Sequence, residues 1–175
     1  EPGVTRFQPA TVEKVAFDAD GVTARLSDAE GERELRARFL VDASGRDAFL
    51  TSRQGRRRPM PGLGKVALFA YYRGAHRWPG REEGNVRISI FPVGWFWCIP
   101  LAHDETSVGC VLHSRVVRAW EGTPAALFQA EISRCHRVRE GLEGAQATTP
   151  VYTAANFAYT VEPVVGSRFL CVGDS

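Results

Sequence analysis

Alternation of apolar and polar residues with a period of two, in short runs, constrains this chain more than any other feature. Val22, Ala24 and Leu26 alternate with Thr23, Arg25 and Ser27, and Leu35, Ala37, Phe39 and Val41 alternate mostly with polar residues. That period puts every second side chain on one face of a half-buried strand, and it does not suit a helix. Asp18-Ala19-Asp20-Gly21 and Asp28-Ala29-Glu30-Gly31 separate the runs and supply the turn conformations that antiparallel neighbours need. Residues 1–50 therefore read as a three-stranded antiparallel meander.

A polar stretch rich in Gly, Pro and Arg over 51–64 is the best internal boundary and reads as a linker. A second strand-rich unit, 65–165, follows. Its candidate strands are Val66 to Arg73, Val86 to Phe91, Trp95 to Leu101 and Thr106 to His113, the last two joined by Ala102-His103-Asp104-Glu105. These suggest one larger antiparallel sheet. Thr123-Pro124 pairs a hydroxyl cap with proline at the first helical position, and Phe128, Ile132, Cys135 and Val138 form an apolar stripe up to Gly141. One helix over 124–141 is expected to cover the sheet, which makes the fold class α+β. Alternation favours a strand somewhere in Tyr152 to Tyr159. Residues 166–175 read as a strand returning to the first domain. The apolar run Phe169-Leu170-Cys171-Val172 ends in Gly173-Asp174 just before the last residue, and residue 1 is not Met. The expectation is an interrupted domain whose next element is a helix.

Composition excludes several classes. Twenty-two Lys plus Arg against twenty Asp plus Glu leave +2, so no global field recruits nucleic acid or an anionic membrane. No apolar run approaches the roughly 20 residues that span a bilayer. Cys98, Cys110, Cys135 and Cys171 form no C-x-x-C, and the four histidines lack ligand-like spacing, so no metal site is expected. Reduced thiols and a cytoplasmic location fit a domain large enough not to need a staple. G-x-S-x-G, a P-loop and paired carboxylates are absent.

Four constellations remain. Phe39-Leu40-Val41-Asp42-Ala43-Ser44-Gly45-Arg46 runs from an apolar strand into a carboxylate, small residues and a glycine. It reads either as a nucleotide contact or as a corner in which Asp42 and Ser44 bond the local backbone. Gly173-Asp174 reads either as a phosphate-binding strand end or as a helix cap. Trp95, Trp97 and Ile99 share one face of their strand, either as the wall of a planar-ligand pocket or as sheet core. Arg53, Arg56, Arg57 and Arg58 are either a solvated loop or an anion site.

In this order the motifs resemble the flavin-dependent halogenases and related FAD monooxygenases of the p-hydroxybenzoate hydroxylase fold. Trp95-Phe96-Trp97-Cys98-Ile99-Pro100 matches the W-x-W-x-I-P signature of the halogenases, and Leu101 with Thr106-Ser107-Val108-Gly109 continues the pattern. Val41-Asp42-Ala43-Ser44-Gly45-Arg46 resembles the strand end packed near FAD, and Val172-Gly173-Asp174 resembles the GD motif at the flavin ribose and phosphate. The resemblance spans essentially the whole chain and implies halogenation of an electron-rich aromatic ring with reduced FAD, oxygen and halide. Asp42, Ala43, Ser44, Gly45, Arg46, Gly173 and Asp174 would then contact the cofactor, and Trp95, Trp97, Ile99 and Pro100 would line the substrate pocket.

The implied partners are a flavin reductase and an aromatic substrate, free or held by an acidic carrier protein that Arg56 to Arg58 would dock. The family's G-x-G-x-x-G is absent. Its relay lysine is absent too, since neither Lys14 nor Lys65 stands in a matching context. The resemblance thus implies the middle portion of an enzyme that by itself binds FAD poorly and is inactive. The same residues leave open an FAD monooxygenase, another flavin oxidoreductase or a non-catalytic domain.

Overall fold

The computed structural model describes residues 3–53, 57–155 and 157–175. In chain order the elements are β1 (Ala10–Phe17), β2 (Val22–Asp28), β3 (Gly31–Ala37), β4 (Leu40–Asp42), α1 (Phe49–Arg53) and β5 (Arg57–Pro59). Then come β6 (Lys65–Arg73), β7 (Arg87–Phe91), β8 (Gly94–Pro100), β9 (Glu105–His113), α2 (Ser114–Arg118), α3 (Pro124–Arg134) and α4 (His136–Gly141). The short strands β10 (Gln146–Ala147), β11 (Tyr152–Ala155), β12 (Tyr159–Val161) and β13 (Phe169–Cys171) complete the chain. Two compact units result, one from 1–58 with 159–175, the other from 59–158.

In the first unit β1, β2 and β3 form the antiparallel meander that the alternation implies. Both turns are built by aspartates: Asp18 accepts the N–H groups of Asp20 and Gly21 at 2.9 Å, and Asp28 accepts that of Glu30 at 2.8 Å. One correction concerns the run from Leu35 to Val41. It is not a single strand, because β3 stops at Ala37 and β4 leaves the meander to pair in parallel with β13, Asp42 opposite Cys171. The meander buries little, with Val22 and Leu26 as its sealed side chains. The 51–64 stretch carries the end of α1 and all of β5, which pairs with β12. Gln54, Gly55 and Arg56 lie outside the described residues.

The second unit holds one antiparallel sheet in the order β10-β6-β9-β8-β7, with β11 also on β6. The turn between β8 and β9 places His103 and Asp104 at φ of 57° and 58°. One face of the sheet is covered. Leu68, Ala70 and Tyr72 of β6, Phe96 of β8 and Val108, Cys110 and Leu112 of β9 pack with Leu127, Phe128, Ile132 and Val138 in the main core. Thr123 caps α3 as its sequence implies, its Oγ1 accepting the Ala126 N–H at 3.1 Å.

The single helix expected over 124–141 is instead two. Cys135 is extended (φ −92°, ψ 97°) and separates α3 from α4. Neither proline nor glycine marks that break, and Val138 still reaches the core from the second piece. Tyr152 to Tyr159 yields β11 and the first residue of β12, with Asn156 outside the described residues.

Candidate functional site

In the first unit, the two Asp-bearing corners meet. The β4–β13 pairing is extended by the Val172 N–H, which donates to the Asp42 carbonyl at 2.9 Å. Asp42 is buried, 6% exposed, and its carboxylate is fully engaged. Oδ1 accepts the Ser44 N–H and Oδ2 the Leu50 N–H, both at 2.9 Å. Burial pushes the Asp42 carboxyl up, but hydrogen bonds from the Ser44 hydroxyl, the Leu50 and Ser44 N–H groups and the Ser175 hydroxyl outweigh it and hold the group below its ordinary value.

Ser175 is buried beneath this corner and accepts the Gly45 N–H at 2.9 Å, while the Ser44 hydroxyl accepts the Phe49 N–H at 2.8 Å. The chain then turns through a single 3-10 turn, Gly45–Asp47, with Gly45 at φ 63°. Asp42 thus organises the corner from inside, and the outward positions are Ala43, Ser44, Arg46, Gly173 and Asp174. Gly173 stands at φ 70° with open space where a Cβ would be, so a ligand can approach its backbone closely. Among the described residues the Gly173 and Asp174 N–H groups have no partner. The Tyr159 hydroxyl donates to the Asp174 carbonyl, and Arg57 lies 3.9 Å from the Tyr159 ring centroid.

In the second unit, Phe96 is fully buried in the core, so alternation turns Trp95, Trp97 and Ile99 to the opposite face of the sheet. Both indoles are half-buried there. Trp97 lies against Gly109 on β9, and a Cβ at that glycine would fall 2.1 Å from an indole carbon. Its Nε1–H donates to the Ser107 hydroxyl at 3.1 Å. Phe69 lies 6.0 Å from the Trp97 ring and 5.4 Å from that of Tyr152, which stands opposite it on β11. The face continues onto β7 through Ile88 and Ile90, 53% and 84% exposed. Pro100 ends the strand, half-buried opposite Thr106.

Sequence reasoning missed Leu50, Ser107, Phe69, Tyr152 and the bonding role of Ser175. Strand alternation of β6 and β9 carries the signal for Phe69 and Ser107. Nothing local points to Leu50 or Ser175, whose roles depend on contacts with Asp42 and Gly45. Among the described residues no cluster of three metal-ligating side chains occurs, and no helix is long and apolar enough to cross a membrane.

The myxobacterial chondrochloren halogenase CndH, described as a variant of FAD-dependent halogenases, superposes with a TM-score of 0.80 at 30% identity, over 94% of this chain and 39% of that one. The sequence matches the tryptophan halogenase family over residues 1–139, and the chain belongs to that family. It is 28% identical to tryptophan 2-halogenase of Chondromyces crocatus over 99% of this chain and 34% of the relative. It is 27% identical to the 1H-pyrrole-2-carbonyl-[peptidyl-carrier protein] brominase of Pseudoalteromonas luteoviolacea over 100% of this chain and 44% of the relative. The chain therefore spans between a third and a half of the length of these curated relatives.

Proposed function

We propose that the protein is an FAD-dependent halogenase that acts on an electron-rich aromatic ring with reduced FAD, oxygen and halide. The observation that carries this is β8, whose Trp95-Phe96-Trp97-Cys98-Ile99-Pro100 run seats Phe96 in the core and leaves both indoles on the uncovered face. Trp95, Trp97 and Ile99 form the substrate wall in this reading, whereas Pro100, expected beside them, is turned by strand alternation to the Phe96 face opposite Thr106. The three wall residues hold a flat ring by apolar contact and keep water from it.

Ala43, Ser44, Gly45, Arg46, Gly173 and Asp174 hold the cofactor. The open approach at Gly173 and the unpartnered N–H groups of Gly173 and Asp174 suit the oxygens of a ribose and phosphate. Asp42 positions this corner, since both its oxygens are already taken by the chain. When bound in its reduced form, FAD supplies the electrons that activate oxygen for oxidation of the halide.

The pyrrole-carrier brominase among the relatives supports a carrier-bound arene as the substrate class. Arg56 to Arg58 suit an acidic carrier. A flavin reductase partner and a cytoplasmic location complete the reading, the latter in keeping with four free thiols. The test supplies the full-length protein with reduced FAD, oxygen, chloride or bromide and a panel of free and carrier-bound arenes, and reads products by mass spectrometry. Halogenated product supports the reading, whereas hydroxylated product alone assigns a monooxygenase instead. Reversing Arg56 and Arg58 to Glu is expected to slow turnover of a carrier-bound arene and spare a free one; equal rates would remove the docking role.

A further inference from the structure

On the covered side of the large sheet, opposite the tryptophan face, a cavity of about 650 Å³ opens between the strands, the 75–78 segment and α4. Its floor includes Arg87 and Val108, which lie in one cross-strand row through Cys98, with Thr106 two residues further along β9. Trp78 forms one wall and Leu142 another.

Arg87 is half-buried and has no counter-ion among the described residues. Its Nη2 donates to the His76 carbonyl at 2.6 Å and its guanidinium lies 5.5 Å from the Trp78 ring centroid. Among the described residues no carboxylate comes within ion-pair distance, and its Nε is sealed with no acceptor. Thr106, 2% exposed, has a hydroxyl in the same state. Arg137, on the α4 side, is a second cation without an ion pair among the described residues.

A guanidinium shielded from water in a concave site attracts an anion more strongly than one on open surface, because the local dielectric is lower. Glu140 and Glu143 also line the cavity, but both are exposed, where solvent and salt screen their repulsion. The apolar walls exclude a bare inorganic anion as the best occupant. They call for an organic body, and the volume lies within the usual range for small-molecule pockets.

We propose that this cavity binds a small aromatic carboxylate, its carboxylate on the Arg87 guanidinium and its ring against Trp78. The site lies within one unit and is independent of the halogenase reading. Titration of the full chain with phenylacetate, followed by ligand-observed NMR and calorimetry, tests it. The expected Kd is about 1 mM for a ligand of this size.

Phenethyl alcohol, which keeps the ring without the charge, and inorganic phosphate, which keeps charge without the ring, should each bind at least about tenfold more weakly. Arg87→Met and Trp78→Ala should each weaken phenylacetate by about tenfold; Trp78 is 46% exposed, so its loss leaves a folded chain on which the test still reads. Equal binding of the alcohol, unchanged affinity in both variants, or no phenylacetate binding at all would overturn the proposal.

Discussion

Replacing Gly109 by alanine should loosen the tryptophan face through a single steric conflict. The new methyl would stand 2.1 Å from one Trp97 indole carbon and 2.4 Å from two others, where carbon atoms settle at about 3.5–4.0 Å. The indole must therefore retreat by more than an ångström. In doing so it gives up the 3.1 Å bond to Ser107 and its packing on Phe69. Overpacking of this kind costs about 1–3 kcal/mol. The lost hydrogen bond adds about 0.5–1.5 kcal/mol, and the smaller backbone entropy of alanine returns about 0.5–1 kcal/mol.

Gly109 does not occupy the left-handed region, so alanine fits the backbone and the penalty belongs to the indole. A net loss of about 1–3 kcal/mol is expected in urea unfolding. The decisive measurement is a double-mutant cycle with Trp97→Ala, because removing the indole removes the conflict. Gly109→Ala should then be neutral or slightly stabilising. An equal penalty in both backgrounds, or none in the native one, would refute the steric reasoning.

Asp42→Asn should lower stability by about 1–3 kcal/mol, read from denaturant unfolding, because an amide has one acceptor oxygen and cannot serve both the buried Leu50 N–H and the partly buried Ser44 N–H that the two carboxylate oxygens hold. The folded Asp42 carboxyl titrates below its unfolded value, near about 3.9, so its stabilisation is present above that pH and fades as pH falls through the folded value. Acid unfolding curves of Asp42→Asn should accordingly be flatter below about pH 4 than those of the native protein. Thr106→Val should raise the free energy of unfolding by about 1 kcal/mol, since the sealed hydroxyl has no partner to lose among the described residues; a lower value would mean that it is satisfied in solution. Thr123→Ala should remove about 1 kcal/mol by leaving the Ala126 N–H uncapped while Thr123→Ser changes little, a contrast visible in thermal melts.

Much of the fold is legible in local pattern. The meander, the four principal strands of the large sheet and the Thr123 cap all follow from period-two alternation, aspartate turns and a hydroxyl before proline. The break at Cys135 is not legible, because apolar spacing runs through it unchanged and only packing of Val138 into the core requires the second piece. Phe69 and Tyr152 show the same limit. Each alternates correctly within its own strand, yet their 5.4 Å contact needs the register of β11 on β6.

Residue order by itself determined which side chains share a face: Trp95, Trp97 and Ile99 together, Phe96 against them, because successive strand residues must point to opposite sides. It also marked both Asp-bearing strand ends. Tertiary structure decided what those ends are. Asp42 and Cys171 stand opposite each other only because β4 and β13 pair in parallel across most of the chain length, a contact that carries no local signal. That pairing turns the carboxylate of Asp42 inward to the backbone and leaves Gly173 and Asp174 as the open edge.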